Sequence, residues 1–234
     1  MNEIAQTDGL RTRDTVPLTP PSQIKSRIPL GSWSAQLVTQ ARASIVQALD
    51  KKDDKLIVAI WPCSIHDTGS AFQLGMEIKN LQEKFRDELI LVFRAYGEKP
   101  RTNVGWAGLL HDPKMDGSYN MEEGIRTMRT LMRDLADVGM ASTTEILDPL
   151  TPTCLADLTA LGCIGARTTE SQRHRQLVSW ASYPTGLKNG TDGELQVAID
   201  GIRAAANPTA FIWVNEDGMT ARISTKWNPD TYMV

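Results

Sequence analysis

Leu89-Ile-Leu-Val-Phe-Arg94-Ala-Tyr96 decides the fold class of this chain. Apart from Arg94 the run is apolar without alternation, and it is bounded by charged residues before it and Gly97 after it. A strand with one wet face would alternate; a strand covered on both faces does not, and such strands belong to parallel sheets packed between helices. Working outward, Leu56-Ile-Val-Ala-Ile60 has the same character. Between the two, residues 71–85 place Leu74, Ile78, Leu81 and Phe85 on one helical face. Strand, amphipathic helix and strand with short connections make a parallel βαβ unit.

The alternation continues in both directions. A helix fits 34–49, with Leu37, Ala41, Ile45, Val46 and Leu49 on one side. After a Gly- and Pro-rich loop over 97–120, the pattern predicts a helix at 121–138, a strand at 139–146 and a helix at 152–161. A strand at 163–166, a helix at 170–180, a strand at 183–187, a helix at 193–206 and a sixth strand at 209–214 follow. Asn215-Glu-Asp-Gly218 reads as a tight turn, so a hairpin is expected over about 213–225. Pro17, Pro20, Pro21 and Pro29 predict an extended arm over residues 1–33. The organisation is thus an arm (1–33) followed by one α/β domain (34–234) of about six βα units. A closed eight-fold barrel needs about 250 residues, so the expectation is an incomplete barrel, C-terminally truncated.

Composition narrows the function. The chain has 234 residues, a net charge of −3 and a sequence pI near 5.7, which gives no general attraction to nucleic acid or to an anionic membrane. No apolar stretch approaches the roughly 20 residues of a membrane span, and residues 1–8 lack the pattern of a signal peptide. Cys63, Cys154 and Cys163 are far apart and suit a reducing, cytoplasmic setting.

Against this mildly acidic background, basic residues gather where predicted strands end. Arg94, Lys99 and Arg101 with Thr102 follow the second strand; Arg167 follows Gly165-Ala166; Lys188 follows Leu187 and precedes Asn189-Gly190. The carboxyl edge of a parallel sheet is where ligands bind, and planar guanidinium groups suit phosphate and carboxylate. Taken singly, each phrase reads equally well as a solvated loop or a capped helix start. Cys63 could be a thiolate ligand or a buried structural cysteine. Glu145, ending the third strand, could work in proton transfer or could pair with a strand-end arginine.

Five motifs sharpen the reading: Pro62-Cys-Ser-Ile-His-Asp67, Glu98-Lys-Pro-Arg-Thr102, Val104-Gly-Trp106, Ile164-Gly-Ala-Arg-Thr-Thr-Glu-Ser171 and Lys188-Asn-Gly-Thr-Asp-Gly193. In this order and spacing the chain resembles the type I 3-deoxy-D-arabino-heptulosonate 7-phosphate (DAHP) synthases, from about residue 35 onward. The resemblance implies a TIM (β/α)8-barrel that joins phosphoenolpyruvate to erythrose 4-phosphate at the start of the shikimate pathway of aromatic amino acid biosynthesis. It implies a divalent metal of the Mn, Fe or Co type with Cys63 as one ligand, and catalytic roles for Lys99, Glu145 and Lys188. Arg94, Lys99, Arg167 and Lys188, with backbone from Gly165 and Ala166, would hold phosphoenolpyruvate; Arg101 and Thr102 would hold the phosphate of erythrose 4-phosphate. It further implies an aromatic amino acid effector and a homo- or hetero-oligomer. Two positions depart from the family pattern: Trp61 stands for a glycine and Ala107 for a lysine. The competing expectation is a catalytically inactive homologue acting as a regulatory or oligomerisation partner, or a fragment without function.

Overall fold

The computed structural model describes residues 7–61 and 63–234; the first six residues of the expected arm, and Pro62 of the first motif, lie outside them. Leu56–Ile60 (β1), Leu89–Arg94 (β2), Ser142–Glu145 (β3), Thr159–Ile164 (β4) and Thr185–Leu187 (β5) pair in chain order, each parallel to the next. Ala210–Val214 (β6) and Thr220–Ser224 (β7) form a separate antiparallel pair. Thr231–Met233 (β8) then returns to the main sheet and pairs parallel with β5. Six parallel strands therefore curl into a half-barrel with β1 and β8 at its edges.

The helices are Pro21–Arg27 (α1), Ser32–Leu49 (α2), Thr68–Lys84 (α3), Met121–Asp137 (α4), Pro152–Leu155 (α5), Gln172–Trp180 (α6) and Gln196–Ala205 (α7). Local chemistry starts several of them: Asp67 accepts the Ser70 amide at 2.6 Å before α3, and Asn120 and Ser171 cap α4 and α6. One core lies between β2, α3 and α4, where Ile78, Phe93, Met128, Met132 and Leu135 are sealed from solvent. Each such side chain contributes roughly 1.5–3 kcal/mol by leaving water. Gly75 lets α3 and α4 close up, since a Cβ there would overlap the Leu135 side chain. A second core joins Ile164, Leu177, Val178, Leu187 and Ala198 to Phe211 of the hairpin. Helix α2 lies against the amino ends of the strands: Ile45 packs with Ile90, Val92 and Ala160, and Arg42 donates to the carbonyls of Ala156 and Thr159 at 2.7–2.9 Å.

Four expectations are corrected. Leu56–Ile60 is not covered on both faces: it is an edge strand with no fully buried residue, and Leu56 is largely exposed. The arm is not extended throughout, because Pro21 occupies the first turn of α1, where a missing N–H costs nothing, and Ile24 anchors that helix in the core. The helix expected at 152–161 ends at Leu155 and a 3₁₀ turn (156–158), and the fourth strand begins at Thr159 rather than Cys163. Residues 159–164 are all buried, as suits a central strand, and a side chain at Gly162 would run into the Tyr183 ring. The run 209–214 is not the sixth parallel strand. It is β6 of the hairpin, with Phe211 buried between exposed Ala210 and Ile212, a one-sided pattern unlike that of the central strands.

Arg129 is fully buried in α4. It donates to both Asp157 carboxylate oxygens at 2.7 and 2.8 Å and to the carbonyls of Ile28 and Cys154 at 2.9 and 2.7 Å. This one side chain fastens the end of the arm and α5 to the barrel helices.

Candidate active site

Because the strands are parallel, everything that follows a strand lies at the same edge of the sheet. Cys63 leaves β1, Arg94 ends β2, Lys99, Arg101 and Thr102 sit in the next loop, Glu145 ends β3, Gly165–Arg167 follow β4 and Lys188 follows β5. The loop over 97–112 is folded on itself. The Lys99 amide donates to Ala107 and the Leu110 amide to Gly97, both at 2.9 Å. Gly108 is left-handed (φ +112) and lies so close to the backbone of Gly97 and Glu98 that no Cβ fits. The Arg101 Nε donates to the Trp106 carbonyl at 2.7 Å, and the Trp106 indole donates to Asp112 at 2.7 Å.

Side chains from different loops meet here. Arg167 donates to the Thr102 hydroxyl at 2.9 Å, and Lys99 Nζ lies 2.8 Å from Cys63 Sγ. Lys99, Arg101 and Arg167 line one pocket of about 440 Å³ together with Ala107 and His111. Glu145 is half-buried. Burial pushes its carboxyl up, and among the charges acting on it Lys188 opposes this first, with Arg94 and Arg167 adding to the opposition. The carboxylate lies against Gly165, so closely that a Cβ at that position would overlap Oε1. Glu145 and Gly165 are therefore neighbours in space, with Arg94, Arg167 and Lys188 within electrostatic reach of the carboxyl, while Cys63 and Lys99 form a second pair on the β1 side. Hydrogen bonding from Lys99 is the main cause that brings the exposed Cys63 thiol down to about 7.

Trp61 does not fill the site with its ring. The indole tilts against Phe93 at 5.6 Å, packed on the core, and what reaches the site is the Trp61 carbonyl, which accepts from Arg94 at 3.2 Å.

Sequence reasoning missed a polar cluster just behind these loops. Glu98 is nearly sealed from solvent, yet its carboxylate meets the His111 ring at 3.0 Å, the Asp148 amide at 3.2 Å and the Thr151 hydroxyl at 3.1 Å. It ties the loop after β2 to the loop after β3. Glu98 stands inside a motif, but nothing in a one-dimensional pattern shows that it turns inward while its neighbour Lys99 turns out.

Among the described residues, the one group of three Cys, His, Asp or Glu side chains close enough to share an ion is Glu98, His111 and Asp148, with ligand atoms within 4.8 Å of one another. Its central carboxylate already serves three donors. Cys63 belongs to no such group, and its sulfur faces an ammonium. The described residues do not assemble a metal site around Cys63. No helix among them is long and apolar enough to cross a membrane.

Known proteins resemble this chain over nearly all of its length. A family model described as the DAHP synthetase I family matches residues 36–234. The phospho-2-dehydro-3-deoxyheptonate aldolase, Phe-sensitive, of Escherichia coli K12 is 45% identical over 229 residues, covering 98% of this chain and 65% of that protein. The phenylalanine-inhibited aldolase of Saccharomyces cerevisiae is 43% identical over 218 residues, 93% of this chain and 59% of that one. The structure of the Francisella tularensis SCHU S4 aldolase superposes with a TM-score of 0.93 at 38% identity, over 94% of this chain and 65% of that one. The chain thus spans about two thirds or less of the length of these relatives.

Proposed function

The chain belongs to the DAHP synthetase I family, and from that premise we propose that its strand-end site binds phosphoenolpyruvate and condenses it with erythrose 4-phosphate. The observation that carries the reading is that Lys99, Arg101 and Arg167, from the exits of β2 and β4, line one pocket, with Arg167 donating to Thr102. Cations from different βα units thus converge at one strand edge, and the charges of Arg94, Arg167 and Lys188 all act on Glu145. That suits a small, multiply charged ligand better than it suits a structural ion pair.

Arg94, Lys99, Arg167 and Lys188 hold the phosphate and carboxylate of phosphoenolpyruvate, with the Gly165 and Ala166 backbone against it. Arg101 and Thr102 hold the phosphate of erythrose 4-phosphate. In the reaction, C3 of the enol attacks the aldehyde carbon, water adds at C2, and inorganic phosphate leaves, giving DAHP. Fixed guanidinium and ammonium groups stabilise the charge that develops at C2 and on the departing phosphate. Glu145 has its proton affinity raised by burial, so it takes up or returns a proton beside the reacting carbon; Lys188 and Lys99 complete the catalytic set. A divalent ion of the Mn, Fe or Co type belongs to the reading as an added component with the Cys63 thiolate as one ligand, but the donors described do not complete its site and no step here is routed through it.

An aromatic amino acid is the proposed effector, since relatives are named Phe-sensitive and Tyr-sensitive. The three unpaired cysteines fit a cytoplasmic setting. Release of inorganic phosphate from the two substrates, with and without Mn²⁺ and with phenylalanine or tyrosine added, tests the whole reading. Calorimetric titration with phosphoenolpyruvate alone tests the site. Loss of binding in Arg167→Ala and Lys188→Ala supports it, and unchanged binding in both removes it. The isolation of Cys63 from any ligand trio favours a second reading, a non-catalytic partner in a mixed oligomer. Phosphoenolpyruvate binding without turnover, together with co-purification with a longer relative, would select it.

A further inference from the structure

We propose that Tyr96 is a positioning residue of this site: its ring is the platform that holds Arg94 ready for phosphoenolpyruvate without neutralising it. The inference rests on the phosphoenolpyruvate reading above and adds a residue that none of the sequence motifs singled out for a role.

A strand-end arginine that awaits an anion has conflicting needs. It must be held in place before the ligand arrives, since ordering a long side chain on binding weakens affinity. It must also remain unpaired, because a carboxylate partner would compete with the ligand. Arg94 meets both. Its guanidinium lies 4.1 Å from the centre of the Tyr96 ring, one N–H is spent on the Trp61 carbonyl, and among the described residues it makes no ion pair. The ring face attracts a cation through its quadrupole while leaving the in-plane N–H donors free.

The platform is itself fixed from three sides. Tyr96 is almost fully buried. Its phenol lies close enough to the Cys163 thiol of β4 for each to act on the other's proton. Its carbonyl accepts the Ile65 amide at 2.8 Å, from the loop that carries Cys63. The backbone helps too: the Tyr96 amide turns back to the Arg94 carbonyl at 3.1 Å, folding the ring over the preceding guanidinium. One residue therefore joins the exits of β1, β2 and β4, and its position decides where Arg94 points.

The test compares wild type, Tyr96→Phe and Tyr96→Leu by calorimetric titration with phosphoenolpyruvate and, separately, with erythrose 4-phosphate. The expected result is a phosphoenolpyruvate Kd about tenfold weaker in Tyr96→Leu, rescue to within about twofold of wild type in Tyr96→Phe, and an erythrose 4-phosphate Kd unmoved in both. General damage to the fold would weaken both ligands. Equal phosphoenolpyruvate affinity in wild type and Tyr96→Leu overturns the inference, as does a Phe variant as weak as the Leu variant. An NMR readout separates this claim from the substrate assignment: the Arg94 side-chain protons should be shifted upfield by the ring in wild type and Tyr96→Phe, and released in Tyr96→Leu. If wild type binds no phosphoenolpyruvate, the substrate reading falls, and the ring-current shift still decides the platform. Should the Leu variant not fold, Arg94→Lys, which keeps the charge and loses the stacking plane, must show the same loss; wild-type affinity there overturns the proposal.

Discussion

Gly165→Ala is the sharpest single perturbation the site offers. Gly165 does not have the left-handed φ that would make its backbone strained for other residues, so the effect of a methyl group there is steric. The added Cβ would overlap Glu145 Oε1, well inside any permitted contact. The carboxylate must move, yet it is half-buried and under the charges of Lys188, Arg94 and Arg167. Forcing an extra carbon into a packed position costs about 1–3 kcal/mol, which for a domain of this size lowers Tm by about 2–12 °C. Displacing the carboxylate by about 1 Å is enough to lower turnover by about 10²-fold where geometry governs the step. Gly69→Ala is the matched control, because its Cβ meets nothing nearer than Asp67 Oδ1 at 3.6 Å and lies in a helix; its Tm should hold or rise, by up to about 1 kcal/mol of added stability. Thermal melts and phosphoenolpyruvate titration of the two variants provide the assay. A Gly165→Ala protein that melts with wild type and binds phosphoenolpyruvate equally well would show that Glu145 does not lie against Gly165, and the geometry of the site would have to be redrawn.

Three further outcomes are expected. Asp157→Asn leaves the fully buried Arg129 charge with only carbonyl partners; urea denaturation should report a loss of about 3–5 kcal/mol, whereas Asp50→Ala, which breaks an exposed pair with Lys52, should stay within about 1 kcal/mol. Lys99→Met returns the Cys63 thiol from about 7 toward its ordinary 9.0. The Ser64 hydrogen bonds remain, so the thiolate fraction at pH 7 falls by at most about 50-fold while each thiolate becomes more nucleophilic, and alkylation by iodoacetamide should slow by at most roughly sixfold; an unchanged rate would mean the lysine does not face the sulfur. His111 has its affinity for a proton raised by the Glu98 hydrogen bond. Its contribution to stability is complete below the ordinary 6.5 and fades as pH rises through the higher folded value. Burial of Glu98 raises that carboxyl too and acts in the same sense. Wild type should therefore lose more Tm than His111→Gln between about pH 6 and 9, and parallel curves would sink this.

The sequence of the strands and helices was legible because apolar runs and helical spacing leave a one-dimensional trace, although the run of β1 marked an edge strand and not one buried on both faces. Leu56–Ile60 and Leu89–Arg94 read as strands from apolar runs alone, and α4 from the spacing of Ile125, Met128, Leu131 and Leu135. The errors fell where local pattern and tertiary demand part company. Ala210–Val214 is as apolar as a barrel strand, and only its antiparallel partner β7 shows that it left the sheet. Thr231–Met233 is too short and too polar to announce itself, and it joins because β5 offers a free edge. Thr159–Gly162 carries a helical-looking start that packing beside β3 overrides.

The sequence by itself determined that cations lie at the ends of strands, because parallel connectivity sends every strand exit to one edge whatever the details of packing. Only the tertiary structure decided which of them face one another. Glu98 turns inward toward His111 and Thr151, Lys99 turns outward to Cys63, and the Tyr96 ring centre sits 4.1 Å from the Arg94 guanidinium. Side-chain direction within a loop is set by what the neighbouring loops leave room for, and that information is spread over residues far apart in the chain.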